Sequence, residues 1–98
     1  MNIPEKIKIL YKTYTVEKQE NLHDGDAELY GQILYLPEKI LLNLNSSDGQ
    51  NKATLFHEIV HGLDEMYCIG LKEEQVDKLG NALYMLIKDN PQMFGEES

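Results

Sequence analysis

The sequence has little that would stabilise or target a protein from outside its own fold. Cys68 is the one cysteine, so no internal disulfide can form, and a reducing cytoplasm is the expected location. No apolar run reaches the ~20 residues needed to cross a bilayer, and no membrane partner is expected. The first stretch, MNIPEKIKILYKTYTVEK, mixes charge with apolar residues and lacks the apolar block of a signal peptide. Basic charge is scarce: nine basic residues stand against seventeen acidic ones, for a net charge of −8. That argues against a nucleic-acid partner, which would need a basic face to track phosphates. Acidic runs are short as well. Mimicry of nucleic acid therefore has only overall charge behind it, and solubility accounts for that charge equally well. Repeats, low-complexity tracts and linkers are absent. Residues 1–98 read as one small domain with a thin core, to which a bound metal would add stability.

What is present begins with alternation. In residues 5–18, EKIKILYKTYTVEK, the apolar positions run Ile7, Ile9, Tyr11 and then Tyr14, Val16. The phase changes near Lys12–Thr13, which predicts a strand that bends, bulges or turns there. Residues 20–29 are polar and contain Asp24-Gly25, a loop or short turn. Residues 31–36 and 40–44 read as two strands joined across Pro37-Glu38-Lys39, and Gly31 in a strand marks a bulge or a close backbone approach.

Ser46-Ser47-Asp48-Gly49 supplies N-cap residues for a helix over 50–67. Its apolar stripe is Ala53, Leu55, Phe56, Ile59, Val60, Leu63 and Met66. Cys68-Ile69-Gly70 breaks that helix. A second spans about 72–89, with Val76, Leu79, Leu83, Leu86 and Ile87 on its buried face, and Asp89, Asn90 and Pro91 at its end. The tail, 92–98, reads as loose. The expected fold is α+β, a small antiparallel sheet followed by two helices.

The first helix carries His57-Glu58-Ile59-Val60-His61, the pattern H-E-x-x-H. On a helix the two histidines stand about 40° and roughly 6 Å apart, so both imidazoles can reach one ion at about 2.0–2.1 Å. Glu58 points to a neighbouring position, where it can take a proton from metal-activated water and later pass it to a leaving amine. With three histidines and eleven glutamates, chance produces the pattern in roughly one shuffled chain in a hundred. Context lowers that further, because the histidines lie off the apolar stripe, where a core histidine would lie on it.

A catalytic zinc needs three protein ligands and an open position. Glu73, Glu74, Asp64, Glu65, His23 and Cys68 are the candidates for the third. Asp64 can ligate or, better, orient a histidine through its free ring nitrogen. Glu65 reads as a solvated helix face, His23 as an exposed loop residue and Cys68 as a small buried hydrophobe. Glu73 falls at the edge of the second helix's apolar stripe, on the Val76–Gly80 side, whereas Glu74 falls nearly opposite it. The choice therefore favours Glu73, although acidic residues also suit any helix N-terminus. Tyr30, Tyr35 and Tyr67 can each donate to an oxyanion, but packing accounts for each of them as well.

The stretch around His57 resembles a zincin metallopeptidase helix. The wider chain is similar to small zincin-like proteins of bacteriophages and prophages, and distantly to the repressor-cleaving ImmA/IrrE metallopeptidases. Gly31–Asn45, HEIVHGLDE at 57–65 and LKEEQVDKLGNALYMLIKDNP at 71–91 carry the similarity. It departs from the ImmA/IrrE pattern in lacking an E-A-(D/N) signature and a helix-turn-helix partner domain. The resemblance implies a zinc ion, hydrolysis of a protein or peptide substrate, and a sheet edge along which that peptide pairs. Resemblance to glutamate-ligated zincins also points to Glu73 as third ligand. Two functions follow: a zinc metallopeptidase with Glu58 as general base, or a zincin-fold phage or prophage protein that binds a host or regulatory partner without cutting it. The sequence does not fix the oligomeric state.

Overall fold

The computed structural model describes residues 2–94. Two strands, β1 (Lys6–Ile9) and β2 (Lys12–Gln19), form an antiparallel hairpin. Its turn is Leu10-Tyr11, two residues before the expected phase change. Ile7 pairs with Tyr14 and Ile9 with Lys12, so odd positions of β1 share a face with even positions of β2. That parity switch is the phase change seen in the sequence. Tyr11, at the turn, is exposed, while Ile9 and Tyr14 are buried.

A two-stranded ribbon follows, β3 (His23–Asp24) and β4 (Ala27–Glu28), in the segment expected to be a loop or turn. Gly25 sits at the ribbon's bend with φ +65°, a left-handed conformation open to glycine without strain. Next come β5 (Gly31–Leu34) and β6 (Lys39–Asn43), an antiparallel pair. The main sheet runs β1-β2-β6-β5.

The α+β plan holds, but the sheet is mixed rather than antiparallel throughout, because β2 and β6 pair in parallel from Thr15↔Lys39 to Gln19↔Asn43. The intervening chain is long enough for the crossover that parallel pairing needs, and it places β5 on the outer edge of β6. Central β6 is covered on both faces, so Ile40, Leu41 and Leu42 are buried in succession, the run expected of an interior strand.

Helix α1 (Asp48–Tyr67) starts at Ser47, whose Oγ accepts from the Gln50 N–H at 3.1 Å. It packs its apolar stripe on the sheet: Leu55 joins Ile9, Tyr14, Ile40 and Leu42 in the core, with Ile59, Leu63 and Met66 against them. Cys68 ends the helix in the left-handed conformation (φ 55°), its N–H bonded to the Asp64 carbonyl. This reversal turns Cys68 into solvent, not into the core as its residue type suggested.

Helix α2 (Glu73–Asp89) then runs back along α1. The seam is narrow. Val76 and Gly80 are buried, and Tyr84 meets Phe56 with ring centroids 5.9 Å apart. Leu79 and Leu86, expected in the buried face, are 43% and 46% exposed, because α1 covers only the 76–80–84 side. After Asn90, Pro91–Phe94 form a 3-10 turn; the rest of the tail expected to be loose lies outside the described residues. No helix among the described residues is long and apolar enough to cross a membrane.

Candidate metal centre

His57 and His61 project from α1 one turn apart, with ring centroids 4.9 Å apart. Glu73, in the first turn of α2, reaches both. Its Oε2 lies 3.1 Å from His57 Nε2 and its Oε1 3.1 Å from His61 Nε2. One ligand atom from each of the three falls within 4.8 Å of the others, close enough to hold one metal ion. Donors held tetrahedrally at 2.0–2.2 Å from zinc stand roughly 3.3–3.5 Å from one another. Each imidazole Nε2 meets a different oxygen of Glu73, at a distance a little shorter than that spacing, and two imidazoles with a carboxylate are a donor set that suits a metal ion. No fourth histidine, cysteine or acid joins the group among the described residues.

Three local features bring Glu73 there. Asp64 Oδ1 accepts from the N–H groups of Gly70 and Leu71 at 2.7 and 2.9 Å, clasping the loop between the helices. Asp64 was expected to ligate or to orient a histidine; instead its carboxylate is used to set the interhelical turn. Next, Gln75 Oε1 accepts from the Lys72 N–H at 2.8 Å, closing the start of α2. Finally, α2 crosses α1 at Gly80, where a Cβ would stand 2.9 Å from His57 Cα and 3.1 Å from His57 N. Only glycine permits this approach.

Glu58 lies on the sheet side of the histidines and is only 6% exposed. Its Oε2 stands 3.5 Å from where a Cβ on Gly31 would be, and Thr54 Cγ2 would be closer still. Gly31 is thus the close backbone approach expected from the sequence, and its missing side chain makes room for α1. Burial pushes the Glu58 carboxyl up to about 7; the His57 ring opposes the shift and Glu73 adds to it. Desolvation dominates because a buried carboxylate loses more hydration than the neighbouring ring returns.

The other candidates lie elsewhere. Glu74 pairs with Lys78 at 3.0 Å on the solvent side of α2. His23 is exposed, with Nδ1 2.8 Å from the Asn21 carbonyl, and Glu65 is exposed on α1. Tyr67 and Tyr30 are exposed, though Tyr30 lines the cavity. Tyr35 donates to the His61 carbonyl at 3.3 Å and packs edge-on to Tyr14. Burial first, then Glu65, push its hydroxyl up to about 12, so it stays a protonated donor.

Asp77 was not singled out in the sequence. Its Oδ1 is 3.6 Å from His57 Nδ1, on the ring's far side and just beyond hydrogen-bond distance. The spacing 73–77–81 was the available signal, since residues four apart share a helix face; Glu73, Asp77 and Asn81 all line the cavity.

That cavity, of about 730 Å³, is bounded by β5, α1 and the first half of α2, with the histidines, Glu58 and Glu73 in its wall. Strand β5 is one of the sheet's two edge strands, and its residues Gly31, Gln32 and Ile33 line the cavity. No protein-family model, no curated protein and no solved structure matches the chain.

Proposed function

We propose that this protein is a zinc-dependent metallopeptidase with Glu58 as its general base. The observation that carries the reading is the convergence of His57, His61 and Glu73 on one point of an open cavity that Glu58 also lines. Two imidazoles and a carboxylate are a zinc donor set, and three ligands with one position open is the catalytic form rather than the closed four-ligand structural form. Zinc, when bound, acts as a Lewis acid and lowers the pKa of water toward 7.

The chain's own groups supply the rest. His57 and His61 offer Nε2 to the ion, with the Asp77 carboxylate on the far side of the His57 ring. Glu58 Oε takes a proton from water in the cleft as the water oxygen bonds to the peptide carbonyl carbon, and returns it to the amine nitrogen as the C–N bond breaks, a role for a desolvated carboxylate beside the reacting centre. Edge strand β5 offers unpaired main-chain groups to an extended substrate, which positions a peptide bond along the cavity. Tyr35 braces the His61 backbone from beneath.

The test is Glu58→Gln in zinc-loaded protein, assayed with a mixed peptide library read by mass spectrometry. The amide keeps the shape and cannot serve as a base, so zinc content and melting temperature should stay near wild type while cleavage falls by about 10²–10⁴-fold. Equal cleavage by both forms removes Glu58 from the chemistry. Capture of peptide by both forms with no cleavage by either favours the non-proteolytic binding protein.

A further inference from the structure

A second cavity, of about 540 Å³, opens beside the first and shares Leu29, Tyr30 and Gln50 with it. It lies beyond the start of β5, where the Asn43 N–H donates to the Tyr30 carbonyl at 2.9 Å and carries the strand pairing one step further. Its wall is amide- and hydroxyl-rich, with Asn43, Asn45, Ser46 and Ser47, and contains one charged group, Glu28.

That carboxylate is held. Asn43 is 3% exposed. Its Nδ2 donates to Glu28 Oε2 at 3.1 Å and to the Leu29 carbonyl at 2.8 Å, while its Oδ1 accepts from the Asn45 N–H at 2.9 Å. A buried amide with donors and acceptor committed thus fixes one oxygen of Glu28 and leaves the other for a ligand. No lysine pairs with Glu28 among the described residues. Every acid that lines the two cavities, Glu28, Glu58, Glu73 and Asp77, is without a lysine in the same walls. Only at the Glu28 end is a carboxylate fixed away from the histidine cluster, so that end is the one complementary to a positively charged side chain.

We propose that the groove takes an extended peptide along β5 and that Glu28, fixed by Asn43, receives a lysine or arginine side chain of that peptide. This inference rests on the reading of the cleft as a peptide site and adds a side-chain preference to it. The amide and hydroxyl wall supplies further acceptors for the cationic head, and Leu29 and Tyr30 give its aliphatic stem an apolar surface. A carboxylate already fixed loses little freedom on pairing, which is where such a contact gains affinity over a mobile surface acid.

The experiment uses the zinc-loaded full chain and fluorescein-labelled ten-residue peptides of serine and valine. Each position in turn carries lysine, norleucine or glutamate, and binding is read by anisotropy. At one position lysine should bind about tenfold more tightly than norleucine, as expected of a charge-assisted hydrogen bond. Glu28→Gln, which keeps an acceptor for Asn43, should bring that ratio close to one. Glu5→Gln removes the same charge from an exposed site that lines neither cavity and should leave the ratio in place. Absence of any position with a lysine preference overturns the proposal. So does a preference that survives Glu28→Gln, or one that falls equally in Glu5→Gln. Peptides cut without that preference overturn it while leaving the hydrolase reading intact; peptides held with it but never cut retain it and remove hydrolysis.

Discussion

Helix α1 has seven buried residues along its length, and α2, only three residues shorter, has two. Both helices reach the same cluster, yet the first is anchored by the protein's core and the second by a clasp, a glycine crossing and a short apolar seam. Two of the cluster's side chains thus sit on a well-buried helix, whereas the third, Glu73, sits on an element with little burial of its own. The difference teaches what a metal would add. An ion at His57, His61 and Glu73 ties the weakly held helix to the strongly held one, so its binding free energy appears as stability of α2.

The largest loss is expected on the side of α1. Leu55→Ala in the α1–sheet core should cost about 2–5 kcal/mol of unfolding free energy, because it opens a cavity among Ile9, Tyr14, Ile40 and Leu42. Leu86→Ala on the half-exposed face of α2 should cost less than about 1 kcal/mol. Urea denaturation of metal-free protein measures both; equal costs would mean that α2 is covered as fully as α1.

The clasp comes next. Asp64→Ala removes two charge-assisted bonds to the Gly70 and Leu71 N–H groups and should destabilise by about 1–2 kcal/mol. It should also weaken zinc binding about threefold to tenfold, because Glu73 begins the helix that the clasp positions. Glu65→Ala and Glu74→Ala, one turn from the same loop but on solvated faces, should shift stability by under about 0.5 kcal/mol. Thermal melts and zinc titration of the three variants separate a clasp from a general loss of acid.

At the crossing two effects oppose each other. Gly80→Ala gains about 1 kcal/mol of helix propensity, but its Cβ meets His57 backbone atoms that cannot give way as a side-chain tip would. Overpacking of this kind costs about 1–3 kcal/mol, so the net change should be a modest loss of stability with weaker zinc binding. A rise in melting temperature with unchanged zinc affinity would show that the two helices do not need this approach.

The uneven anchoring also explains what the sequence could disclose. His57, Glu58 and His61 were legible because their relation is local, fixed by one helical turn. Glu73 was legible at one remove, since the edge of an apolar stripe points toward whatever that stripe packs on. Asp77 repeats Glu73's face four residues on, but its place depends on which imidazole lies opposite, a contact between elements. The parallel pairing of β2 with β6 was hidden because alternation reports which face a residue takes, not which strand lies beside it. Leu79 and Leu86 look like core by spacing, and only the width of α1 decides that they are not. Cys68 was misplaced because a chain reversal overrode its residue type. Glu28 gave no signal at all, since its partner Asn43 is fifteen residues away across the end of the sheet.

The proposed site requires α1 and α2 to share one ion through His57, His61 and Glu73. Calorimetric titration of zinc into metal-free wild type, His61→Ala and Glu73→Ala tests it most directly, with folding of each variant checked by circular dichroism. The wild-type chain should bind one ion, with affinity lower by about 100-fold or more in His61→Ala and a clear though smaller loss in Glu73→Ala. Wild-type stoichiometry and affinity retained in both folded variants would contradict it.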